Sequence, residues 1–74
     1  MNELGELSNQ LSVFRAKKGY SQAEVAKRIG VSRQTIISLE KNKYSPSLKL
    51  AFELAHLFDT GIEDIFQYNL KGED

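Results

Sequence analysis

Between Ser21 and Asn42 the apolar positions fall into two short helical stripes interrupted by a glycine. Ala23, Val25, Ala26 and Ile29 form the first stripe and Gly30 ends it, since glycine adopts the left-handed conformation that closes a helix without strain. From Arg33 onward, a step of about 100° per residue puts Thr35, Ile36 and Leu39 on one side and Arg33, Gln34, Ile37, Ser38 and Lys41 on the other. Ser21 with Glu24 makes a capping box for the first of these helices, and Ser32 caps the second. A capped helix, a tight turn and a second helix with one polar side are the parts of a helix-turn-helix, whose second helix enters the major groove of DNA.

The flanking pattern predicts three more helices. Leu7, Leu11 and Phe14 recur at helical spacing, which places a first helix from about Asn9 to Lys18, stopped by Gly19. Tyr20 precedes the Ser21 cap in the staple position and is expected to pack inward. The loop NKYSPS ends on Ser47, which caps a helix from about Leu48 to Phe58. That helix has two apolar stripes: Leu48, Ala51, Phe52, Ala55 and Phe58, and then Leu50, Leu54 and Leu57. The second stripe exceeds what one small core hides and is expected to face a partner. After Thr60-Gly61 a short helix spans Ile62 to Phe66, with Glu63 and Asp64 in the first turn where carboxylates complement the helix dipole. The tail alternates Phe66, Tyr68 and Leu70 with polar residues and reads as either a short strand or a frayed end. The expected fold class is therefore all-α: five short helices over residues 9–66, with the helix-turn-helix at about 21–42, a loosely held arm over 1–8, and a tail over 67–74 with a possible strand.

Composition narrows the class. With 74 residues the chain is one domain, without room for a separate sensing domain. It contains no cysteine, which excludes disulfides and thiolate chemistry and suits the cytoplasm, and its longest apolar run is too short and too interrupted to span a membrane. Net charge is zero, but its distribution is uneven. Residues 15–43 hold eight Lys or Arg against Glu24 and Glu40, a net of +6, leaving −6 for the rest. A basic half beside an acidic half fits a polyanion partner, although a solvated surface segregates in the same way.

The exposed side of the second helix carries the chemistry. Arg33 can donate two parallel hydrogen bonds to guanine O6 and N7, and Gln34 can pair its amide with adenine N6 and N7. Ser38 donates or accepts, and Ile37 meets thymine methyl groups. The alternatives are that Arg33 touches only phosphate and that Ile37 packs against its neighbours. Lys17 and Lys18 are either outer phosphate contacts or solvated charges. A lone His56 without Cys points to no metal, and no acid, base or nucleophile constellation or phosphate-cradling glycine loop suggests an enzyme or a cofactor.

The segments SQAEVA, VSRQTI, LEKNKYSPSL and IEDIF together resemble the Cro and phage-repressor helix-turn-helix family over roughly Leu11 to Phe66. The chain looks most like the compact single-domain bacterial repressors such as the enterococcal cytolysin repressor, and since that repressor is a tight dimer with a small terminal sheet, the likeness implies the same here. Two departures are a longer amino-terminal arm and Gly61 where a capping serine is more usual, which is expected to weaken the last helix. The resemblance implies a lambda-repressor-like domain that binds double-stranded operator DNA as a homodimer, with no small-molecule ligand and no membrane. It places phosphate contacts at Gln22, whose helix start favours an anion, and at Thr35, Lys41, Asn42, Lys43 and Tyr44. It also implies a structural pair between Arg15 and Glu40. The expected dimer interface is Leu54, Leu57, Ile62, Ile65, Phe66 and Tyr68. A protein-binding role, as in the antitoxin of a toxin pair, is the alternative.

Overall fold

The computed structural model describes residues 5–70, in the order β1 (Gly5–Asn9), α1 (Leu11–Lys18), α2 (Gln22–Ile29), α3 (Arg33–Glu40), α4 (Leu48–Leu57), α5 (Ile62–Ile65) and β2 (Phe66–Leu70). Serine oxygens start the middle helices as expected: Ser21 accepts from the Glu24 N–H, Ser32 from Thr35 and Ser47 from Leu50, all at 3.0–3.1 Å. Only half of the Ser21 capping box forms, because the Glu24 carboxylate turns to Arg28 one helical turn on, at 2.7 Å. Gly61 offers no side chain to accept from the first turn of α5, as a capping serine would. The reciprocal half of a capping box is present: the Asp64 carboxylate accepts from the Gly61 N–H at 3.1 Å and from the Thr60 hydroxyl at 2.8 Å.

The amino end departs from expectation, while the tail takes the strand alternative. Residues 5–8, read as part of a loose arm, belong to β1, and the tail is its antiparallel partner: Gly5 faces Leu70, Leu7 faces Tyr68 and Asn9 faces Phe66. The fold is thus mostly helical with a two-stranded sheet rather than all-α. The spacing of Leu7 from Leu11 suits a helix and a strand alike, and the partner that decides for the strand lies at the far end of the sequence. Glycine is required at position 5, where a Cβ would collide with the Asn69 carbonyl and the Tyr68 ring. The rest of the arm and tail, residues 1–4 and 71–74, lies outside the described residues.

Leu11, Val25, Ile36, Leu39, Leu54 and Ile65 are the largest fully buried side chains. Phe14 and Tyr20 close one side by tilting against Phe58, with ring centroids 6.0 and 6.2 Å away. Helix α4 corrects the two-stripe expectation. Its inward arc takes Leu50 and Leu54 from one stripe and Ala51, Ala55 and Phe58 from the other, while Leu48 and Phe52 are left outside, 70% and 55% exposed. Positions 50, 51, 54, 55 and 58 span one arc of about 140° at about 100° per residue, and 48 and 52 lie just beyond it.

Helix α4 ends through Asp59, whose φ of 55° is left-handed, while Gly61, where the sequence suggested a break, is extended. An L side chain there is strained and its carboxylate has no hydrogen-bond partner among the described residues, so Asp59→Gly is expected to stabilise the fold by up to about 1 kcal/mol. Thermal unfolding checks it, and a lowered midpoint would contradict it.

Candidate nucleic-acid interface

The turn between α2 and α3 is built by Gly30, at φ 87°, with the N–H groups of Gly30 and Val31 both donating to the Ala26 carbonyl at 2.8 and 3.0 Å. Ile36 and Leu39 are buried in the core and hold α3 by its inner side. The outer side carries the expected readers. Arg33 and Gln34 are exposed at the amino end of α3, and Ile37 and Ser38 are half-buried one turn later. Gln34 reaches Ser38 with its amide nitrogen at 3.4 Å. Arg33 makes no ion pair or hydrogen bond among the described residues, so its guanidinium is free to engage a ligand.

The residues expected to grip phosphate separate into groups. Lys41, Asn42, Lys43 and Tyr44 are exposed and follow α3 directly. Their backbone is locked: the Asn42 N–H donates to Leu39, the Lys43 N–H donates to Ser38, and Asn42 is left-handed at φ 58°. Thr35 is half-buried, with its hydroxyl 2.9 Å from Ser32 Oγ. Gln22, at the start of α2, donates to Glu40 at 3.1 Å, so in the free protein its amide is already engaged. Lys17 lies over the Phe14 ring at 5.0 Å and Arg28 over the Tyr20 ring at 4.5 Å, so both cations also cover apolar surface.

Beneath this face Arg15 and Glu40 form a two-pronged ion pair, Nε to Oε2 at 2.6 Å and Nη2 to Oε1 at 3.1 Å. The side chains are only 20% and 11% exposed. Arg15 also donates to the Tyr20 carbonyl at 3.1 Å, so one guanidinium joins α1, the entry to α2 and the end of α3. Its hydrogen bond to Glu40 holds its pKa above the ordinary arginine value against the opposing effect of burial, and it stays charged at any accessible pH.

Two of the expected interface residues are corrected. Leu54 and Ile65 are fully buried within the single chain and cannot face a partner without unfolding it. The others do not form one surface. Leu57 lines a groove between α2 and α4 with Ile29, Phe52 and His56, while Ile62 and Phe66 line another with Leu7, Pro46, Leu48 and Ala51. Tyr68, 55% exposed, is on the same sheet face as Leu7, Phe66 and Leu70.

The sequence pattern makes Asn9 only the start of a helix, and the structure gives it more to do. Its Oδ1 accepts from the Leu11 N–H at 3.0 Å, and its Nδ2 donates to the Leu39 carbonyl at 2.9 Å and to Asn42 Oδ1 at 3.0 Å. An asparagine just ahead of an apolar helical pattern signals a bond to the helix start, but nothing local signals partners 30 and 33 residues away.

A helix-turn-helix family model matches residues 11–65, the span from the start of α1 to the end of α5. The chain belongs to the Cro/C1-type helix-turn-helix family. This helix-turn-helix protein is 55% identical over 62 residues to an uncharacterized HTH-type transcriptional regulator of Methanocaldococcus jannaschii, covering 84% of this chain and 94% of that one. It is 40% identical over 60 residues to the uncharacterized HTH-type transcriptional regulator YgzD of Bacillus subtilis, covering 81% and 91%. The likeness thus extends to archaeal as well as bacterial regulators. The transcriptional regulator VanUg has a similar fold, with a TM-score of 0.77 over 95% of this chain and 93% of that one at 18% identity. These matches put the chain among DNA-binding transcriptional regulators. No helix among the described residues is long and apolar enough to cross a membrane.

Proposed function

We propose that this helix-turn-helix protein is a repressor that reads an inverted-repeat operator as a homodimer, with α3 in the major groove. The observation that carries the reading is the exposed Arg33, unpaired among the described residues, beside Gln34 at the amino end of a helix clamped to the core by Ile36, Leu39 and Glu40. Two adjacent side chains capable of bidentate base contacts on a rigid support are what direct readout needs. Lys41, Asn42, Lys43 and Tyr44 are placed past the end of that helix to grip the backbone, and Thr35 and Gln22 supply hydroxyl and amide groups beside it. Occupying a promoter sequence is enough to repress it, which the domain achieves with no catalysis, cofactor or small-molecule ligand.

The dimer reading rests on the apolar sheet face and the adjoining groove, where Leu7, Leu48, Tyr68 and Leu70 are 41%, 70%, 55% and 59% exposed. A continuous patch of this kind on so small a chain is suited to a second copy. Two-fold symmetry then sets the reading helices about 34 Å apart and half-site centres about 10 base pairs apart.

Binding selection from random DNA duplexes tests the whole reading and is expected to return an inverted repeat. Arg33→Ala and Gln34→Ala should each cost about 1 to 3 kcal/mol at particular base positions, whereas Lys43→Ala should weaken all sequences alike and lower the salt slope by about one. A selected site that both helix variants leave unchanged would show that α3 is not the reader.

A further inference from the structure

We infer that Asn9, a residue of the sheet, orients the amide of Asn42 toward DNA. The inference rests on the DNA-binding reading above and adds to it a residue that touches no DNA itself. Asn9 uses every strong group of its side chain within the protein: the oxygen accepts from the first N–H of α1, and the nitrogen donates both to the last turn of α3 and to Asn42 Oδ1. Because Asn9 presents a donor, Asn42 must answer with its carbonyl oxygen. That assignment fixes the amide flip of Asn42 and turns its Nδ2 away, with no partner among the described residues. An amide that rotates freely presents donor and acceptor to a phosphate about equally, and the acceptor is repelled. Held by Asn9, Asn42 presents two N–H donors. The left-handed backbone at Asn42 and the Lys43 N–H bond to Ser38 hold the remaining degrees of freedom.

The arrangement also ties the sheet to the reading helix. Asn9 is the last residue of β1, it faces Phe66 across the ladder, and the next residue, Gln10, donates from its backbone to the Ile65 carbonyl at 2.7 Å. A change in the sheet therefore reaches the exit of α3 through one side chain.

The test is a double-mutant cycle on affinity for the operator selected by the wild-type protein. Asn9→Ser keeps an oxygen for the Leu11 N–H but is too short to reach Leu39 or Asn42, and it adds no charge. It is expected to weaken binding by about two- to tenfold, the cost of ordering an amide that is otherwise free to turn, with the salt slope and the base preferences unchanged because no cation and no reader is lost. Asn42→Ala should weaken binding at least as much, and adding Asn9→Ser to it should cost little more. Losing the Leu39 bond lowers stability in either case, so thermal unfolding of each variant sets a temperature at which all are folded, and there a purely structural role for Asn9 would leave the two effects on affinity multiplicative. Full affinity in Asn9→Ser, or multiplicative losses in the double variant, would overturn the inference. A wild-type protein that selects no DNA site would instead overturn the DNA-binding reading.

Discussion

Leu48→Asp is expected to turn the proposed dimer into a monomer and to weaken operator binding by about a hundredfold or more, the range in which a tethered second copy contributes. The substitution is chosen to spare the fold. Leu48 is 70% exposed and is the first residue of α4, where a carboxylate is favoured by the helix dipole, so thermal stability of the monomer should be unchanged or slightly raised. Phe66→Asp would be a poorer probe, because Phe66 packs against the core cluster and its loss confounds folding with association. Light scattering at micromolar protein should give about twice the chain mass for the wild type and the chain mass for Leu48→Asp. A wild-type monomer that binds one half-site with full affinity would end the dimer proposal, and a Leu48→Asp variant that remains dimeric would move the interface elsewhere.

Arg15→Met is expected to cost about 2 to 3 kcal/mol, below the 3–5 typical of fully buried pairs because these side chains retain some solvent contact. The loss comes from Glu40, which would keep only the Gln22 amide, and from the Tyr20 carbonyl, which would lose its donor. For a domain of this size the melting temperature should fall by about 10 °C or more. Changing Glu40 to Gln together with Arg15 to Met should recover part of the loss, and the coupling should exceed the roughly 0.2–1 kcal/mol of exposed pairs. Because the pair also aims α3, operator affinity should fall further than the unfolded fraction explains. Additive effects of the two substitutions on stability would show that the pair is not coupled.

The helical body could be read from the sequence because its signals are local. Ser21, Ser32 and Ser47 each bond the backbone three residues ahead, and the burial of Ile36 and Leu39 follows from a single period. What the sequence concealed depends on distant partners. The Gly5–Asn9 segment has no period of its own and becomes a strand only against Phe66–Leu70. The choice of which leucines on α4 face inward depends on what packs there, so the sequence pattern sends Leu54 to a partner surface, whereas the fold buries Leu54 and exposes Leu48. Ile65 was misassigned for the same reason. Exposure of Arg33 and Gln34 followed directly from helix geometry, whereas Asn9 acts through neighbours 30 and 33 positions away.

The strand pair also has a consequence for the order of folding. Gly5 and Leu70 are sixty-five positions apart, so a ladder formed in the unfolded chain would close a loop of nearly the whole domain with few bonds to offset the entropy. Once the helices have packed, the Gln10 bond to Ile65 has already brought the two ends together, and pairing needs only short-range zipping. The sheet is therefore expected to form last and open first, and its amides should exchange with solvent well before those of α2 and α3. Whatever settles on its apolar face acts on the least stable part of the molecule, where a small binding energy shifts the population most.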